Sequence, residues 1–186
     1  FEIVHSLLRQ FGPEDWTLYK GQHLLSFVDN HDVSRIASIL ERPEHLKLIY
    51  TMMFGMPGIP IVYYGSEWGA KADKCQGDPA LRACFDQPEW NGLTDTIASL
   101  AAAEKASRAM QYGDFKSLVL TNRQCIFERE TADDRVMIAV NADENDFHAD
   151  FNARAGRAHD LITGETVDFG GGLVIPGFTA YVLQPY

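Results

Sequence analysis

The sequence predicts two architectures in succession: α/β structure built on parallel strands through residues 1–111, and an all-β antiparallel unit through residues 112–186. Three observations lead there. The runs Leu24–Val28 and Ile59–Tyr64 are apolar at consecutive positions, which marks strands buried on both faces. Helical spacing fills the stretch between them, and strand, helix, strand is the signature of a parallel pair. From Tyr112 onward the apolar period changes to two.

Phe1, Val4, Leu7, Leu8 and Phe11 recur as on one face of a helix, which Gly12-Pro13 ends. The strand Leu24–Val28 then breaks abruptly into Asp29-Asn30-His31-Asp32. After it, Val33, Ile36, Ala37 and Leu40 predict a short helix stopped before Pro43. Pro43 and Glu44 open a longer one with Leu46, Ile49, Tyr50, Met53 and Phe54 on one face, Met52-Met53 being core filling. Gly55–Pro60 is a turn into the strand Ile59–Tyr64. Two parallel strands imply a larger sheet than this chain supplies.

Glu67–Trp90 lacks a period and follows a strand's carboxyl end, so it reads as a long rim loop. Asn91-Gly92 precede one continuous helix, Leu93–Met110, with Gly113 as its C-cap. Val136, Ile138 and Val140, then Phe147, Ala149 and Phe151, then Phe178, Ala180 and Val182 alternate as strands do. Turn residues at Thr121-Asn122, Asp133-Asp134, Asp143–Asp146, Thr163-Gly164 and Gly170–Gly172 divide six to eight short strands, the spacing of an antiparallel sandwich. With no low-complexity linker at the junction, this unit is expected to pack on the α/β part.

Charge narrows the partners. A net charge of −10 and a pI near 4.9 disfavour nucleic acid and anionic membrane surfaces, both of which need a basic footprint; a neutral substrate is compatible. No apolar span reaches membrane-crossing length. Cys75, Cys84 and Cys125 show no zinc spacing and read as thiols, with a Cys75–Cys84 disulfide the lesser alternative; thiols point to a reducing, cytoplasmic location.

Two carboxylates and an imidazole at the end of a parallel strand make a candidate active-site rim, because that end is where α/β barrels place chemistry. The plainer reading is that Asp32 or Asp29 caps the next helix. Asn30 and Asp29 are taken as orienting or capping groups, and Arg35 as a helix-surface ion pair. His148 and His159 are read as solvated.

FVDNHD, followed after a helical stretch by GIPIVYYGSEWG, resembles the seventh and eighth barrel strands of the alpha-amylase superfamily, glycoside hydrolase family 13, and most closely its neopullulanase, cyclomaltodextrinase and maltogenic amylase branch. The resemblance covers essentially the whole chain. It implies the last two strands of a (β/α)8 TIM barrel with their helices, then a Greek-key β-sandwich. It also implies the C-terminal part of a longer enzyme whose nucleophile and general acid lie outside these residues, with the missing N-terminal barrel segment of the parent chain as a partner.

By motif match Asp32 is the carboxylate that stabilises the transition state of a retaining alpha-glucan hydrolase, and His31 donates to the same sugar. Asp78 and Arg82, in DPALR, match residues that hold sugars on the non-reducing side; a local salt bridge is the alternative. Trp68, Phe85 and Trp90 are candidate stacking faces for pyranose rings, Trp68 foremost, whereas Tyr63 and Tyr64 are packing. Glu67 has no assigned role. No metal or cofactor is expected from these residues, and calcium dependence of the parent enzyme and homo-oligomerisation are left open. Competing readings are a transglycosylase or isomerase of the same family, and a non-catalytic sugar-binding or scaffold relative.

Overall fold

The computed structural model describes residues 2–186; Phe1 and the side chains of Val4 and Leu7, part of the first helix's predicted apolar face, lie outside the described residues. That helix is α1 (Glu2–Phe11). β1 (Leu25–Ser26) and, later in the chain, β2 (Ile59–Pro60) pair in parallel, Leu25 opposite Ile59 and Ser26 opposite Pro60. Both are shorter than predicted, and burial on both faces is not observed. Leu25 is 62% exposed, Phe27 49% and Ile59 48%. Each strand has a single sheet neighbour among the described residues, so no closed barrel forms and apolar surface stays open.

Between the strands run α2 (Ile36–Ile39), which excludes the predicted Val33, and α3 (His45–Gly55). Leu48, Tyr50, Met53 and Phe54 form the buried side of α3, so Met53 fills core. The rim loop is not shapeless: it holds 3-10 turns at Ser66–Trp68 and Lys74–Gln76 and the single-turn helix α4 (Asp78–Leu81). All three cysteines are free thiols.

The predicted helix Leu93–Met110 is two helices, α5 (Gly92–Ala106) and α6 (Arg108–Tyr112). Ser107 divides them. Its backbone is extended (φ −102°, ψ 119°), and its hydroxyl accepts the Met110 N–H at 3.1 Å while donating to Asp134 at 2.7 Å. A serine satisfied this way favours an N-cap over a helix interior. Gly113 ends α6, but at φ −66° rather than in the left-handed region expected of a glycine cap. Its reason is space: a Cβ there would lie 2.7 Å from the Glu130 nitrogen.

The remaining residues form β3 (Asp114–Leu120), β4 (Gln124–Glu130), β5 (Arg135–Asn141), β6 (Phe147–Ala149), β7 (Arg157–Asp160), β8 (Thr166–Asp168), β9 (Leu173–Ile175) and β10 (Thr179–Pro185). Six make an antiparallel sheet ordered β3-β4-β5-β10-β7-β8, and β6 pairs with β9 as a separate ribbon. The central strands β4 and β5 are buried on both sides. Phe127, Val136, Ile138, Val140 and Val182 share a core with α3, α5 and α6; Ile126, Met137, Ala139 and Leu183 share another with Ala149, Leu173 and Ile175 of the ribbon. Strand parity sorts the two sets.

Arg129 marks the junction. Nearly inaccessible, it donates from Nε to the Gly113 carbonyl at 2.9 Å and from a terminal nitrogen to the Gly55 carbonyl at 3.0 Å, a cation at the carboxyl ends of α6 and α3. Burial lowers its pKa to about 10.

Candidate active site

The strand end after β1 sends its acidic groups in opposite directions. Asp29 is buried: one carboxylate oxygen accepts the Ile36 N–H at 2.8 Å, capping α2, and both accept the Ser66 hydroxyl, at 2.7 and 2.9 Å. Asn30 accepts the Asp32 N–H at 2.8 Å, a local turn that lifts Asp32 outward. Asp32 is exposed, so only one of the two carboxylates reaches the rim.

Four of the five predicted site residues come together there. His31 Nε2 lies 3.3 Å from Asp32 Oδ2, and Arg82 approaches Asp32 Oδ1 at 3.3 Å with one terminal nitrogen and Asp78 Oδ2 at 3.3 Å with the other. Lys74 completes the row at 2.7 Å from Asp78, and its hydrogen bond, followed by its charge and that of Arg82, holds the Asp78 carboxyl below the usual carboxylate range. Thus the local ion pair considered for Asp78 and Arg82 exists, and Arg82 reaches beyond it to Asp32.

Trp68 stands apart from this row. Its ring meets Phe85 edge-on at 5.3 Å, and with Tyr64, Arg82, Phe85 and Pro88 it lines an open recess of ≈ 510 Å³. Such a surface offers aromatic walls beside a guanidinium, suited to a ligand that presents CH faces and hydroxyls. Trp90 is largely exposed and donates its indole N–H to Asp95 at 2.7 Å. Glu67 keeps one carboxylate oxygen buried without a hydrogen-bond partner among the described residues.

One placement corrects the sequence reading outright. Arg35 is not a surface ion pair: it is 1% exposed, and its donors go to the Tyr64 carbonyl (2.7 Å), the Ser66 hydroxyl (2.8 Å) and the Leu81 carbonyl (3.1 Å). Its guanidinium also covers the Tyr63 ring at 4.1 Å from the centroid. Ser66 carries no sequence signal for its place between Arg35 and Asp29, whereas Lys74 stands in the sequence as the i−4 partner of Asp78. Among the described residues, no group of three or more His, Cys, Asp or Glu side chains is gathered for a metal, and no helix is long and apolar enough to cross a membrane.

The rim gathers carboxylate, imidazole and guanidinium beside the end of two parallel strands, and the comparisons with known proteins give the class to which such a chain belongs. The model of the alpha-amylase catalytic domain matches residues 13–163, so the chain belongs to the alpha-amylase family. It is 28% identical over 120 residues to a cyclomaltodextrin glucanotransferase of Niallia circulans, covering 63% of this chain and 16% of that protein. It is 23% identical over 165 residues to a cyclomaltodextrinase of Thermoanaerobacter pseudethanolicus, covering 87% and 28%. In structure it matches the alpha-amylase of Geobacillus thermoleovorans, solved with acarbose, at a TM-score of 0.79 and 26% identity over 88% of this chain and 39% of that one. The chain therefore spans well under half of each relative, and its fold is part of the alpha-amylase catalytic-domain fold, a TIM-barrel family, with mixed helices and sheets.

Proposed function

We propose that this chain is the C-terminal segment of a retaining glycoside hydrolase acting on alpha-glucans such as maltodextrins, pullulan or cyclodextrins. The carrying observation is the row His31, Asp32, Arg82 and Asp78, assembled from two separate sequence motifs within 3.3 Å steps. Asp32 supplies fixed negative charge beside the sugar that acquires oxocarbenium character, which lowers the barrier only if the interaction strengthens as that charge develops. His31 donates to the same sugar, and Arg82 with Asp78 grips the next sugars toward the non-reducing end. Trp68 offers its face along the recess. The nucleophile and general acid belong to the barrel segment that pairs with β1 and β2, so residues 1–111 complete a barrel and residues 112–186 form a β-sandwich behind it.

In the full-length enzyme, Asp32→Asn keeps the shape and removes the charge, so turnover should drop about a hundredfold or more while KM changes little. A variant with near-parental turnover would take Asp32 out of the site. The glucanotransferase among the relatives favours a second reading, in which a sugar hydroxyl replaces water as acceptor. The ratio of transfer products to reducing ends released from maltodextrin separates the two.

A further inference from the structure

Arg35 is among the largest fully buried side chains, and the carboxylate linked to it, Asp29, is reached through the Ser66 hydroxyl rather than by a direct ion pair. A buried cation is tolerated only when its donors are met, so its acceptors are held to it as firmly as it is to them. Those acceptors span the whole rim: Tyr64 and Ser66 at the end of the second strand run, and Leu81 in α4. Its own N–H donates to the Ala72 carbonyl at 2.9 Å.

The Leu81 contact bears on the site. The Leu81 carbonyl and the Arg82 N–H belong to one planar peptide. Arg35 pins that plane from the carbonyl side at 3.1 Å, and the carbonyls of Asp78 and Pro79 pin it from the N–H side at 3.2 and 3.3 Å. The Arg82 side chain thus leaves a backbone unit fixed on both edges, and its two terminal nitrogens fall between Asp32 and Asp78.

We propose that Arg35 is a positioning residue of the substrate site: by fixing the Leu81–Arg82 peptide it sets where the Arg82 fork stands and so tunes preference for longer glucan chains. This rests on the substrate-binding reading of Arg82. Lysine cannot substitute, since a single ammonium on a flexible stem lacks the planar fork that reaches three acceptors at once.

The test is the ratio of kcat/KM on long maltodextrin to that on the shortest cleavable maltooligosaccharide, in the full-length enzyme. Arg82→Ala should lower this ratio about tenfold, the worth of a hydrogen bond from a charged donor. Arg35→Lys should lower it comparably, and the double variant should be no lower than Arg82→Ala alone. Ser66→Ala removes a neighbouring contact of Arg35 but leaves the Leu81 bond, so it should lower the melting temperature and keep the ratio. If Arg35→Lys does not fold, Arg35→Gln carries the same measurement. The inference is overturned if Arg35→Lys keeps the parental ratio while Arg82→Ala does not, if the two losses multiply, or if Ser66→Ala shifts the ratio as far as Arg35→Lys. An unchanged ratio in Arg82→Ala removes the substrate-site reading of Arg82 and this inference with it.

Discussion

Asp134, in the turn between β4 and β5, reaches back to the start of α6 and gives a quantitative handle on the junction. One of its oxygens accepts the Ser107 hydroxyl at 2.7 Å and the Ala109 N–H at 2.9 Å; the other accepts the Gln184 amide at 3.1 Å. Burial alone would raise its pKa, but the bonds from Ala109, Ser107 and Gln184 outweigh it and hold the carboxyl below the usual range. Asp134→Ala removes a helix cap, worth about 1 kcal/mol, and a charged acceptor for the remaining donors, worth about 1–2 kcal/mol. At roughly 2–4 °C per kcal/mol for a chain of this size, thermal unfolding followed by circular dichroism should begin about 4–12 °C lower at neutral pH. Because the folded-state pKa is depressed, the stabilisation is complete above the unfolded value near about 4 and is lost as pH falls through the folded value. The gap between parent and variant should therefore narrow on acidification. A gap independent of pH, or a shift under about 1 °C, would refute the assignment of that stability to the ionised carboxylate.

Gly113→Ala keeps an allowed φ but drives a Cβ against Glu130, so a melting experiment should show a loss of about 1–3 kcal/mol; an unchanged midpoint would mean that β4 yields. Arg129→Met leaves the Gly55 and Gly113 carbonyls without their donor, and chemical denaturation should register about 1–3 kcal/mol of destabilisation. A more stable variant would show that the desolvated charge costs more than its bonds return. Residues 1–186 produced alone should release no reducing sugar from maltodextrin and should associate through Leu25, Phe27 and Ile59, as seen by size-exclusion chromatography. Hydrolysis by a clean monomer would contradict the placement of the nucleophile and acid elsewhere.

What the residues announced in advance was whatever depends on side-chain periodicity. The alternation through β5 and the burial of Tyr50, Met53 and Phe54 on α3 are local patterns that recur in the structure. Leu46 and Ile49, by contrast, are only half-buried, and before Asp29 it is Leu24, Leu25 and Phe27 that are exposed and the carboxylate that is buried. The grouping of His31, Asp32, Asp78 and Arg82 was inferred from motif resemblance, and three side-chain distances now describe it. What escaped were groups answered by backbone. Arg35 looks like a surface residue because carbonyls of Tyr64 and Leu81 satisfy it, and a carbonyl carries no letter in a sequence. Ser107 sat inside a helical pattern whose interruption depends on Asp134, a residue far along the chain. Strand length failed for another reason: β1 and β2 have too few neighbours to extend a ladder.

The placement of β10 has a consequence for biosynthesis. Last in chain order, it lies between β5 and β7 rather than at an edge, and it supplies Val182 to one core and Leu183 to the other. During translation the earlier strands leave the ribosome with a gap where their middle partner belongs, and at roughly 5–20 residues per second they wait, unpaired, for it to arrive. Stopping synthesis a few codons before Thr179 would withhold the strand that joins the sheet's two halves, so a nonsense mutation there should give a polypeptide that chaperones retain and proteases clear.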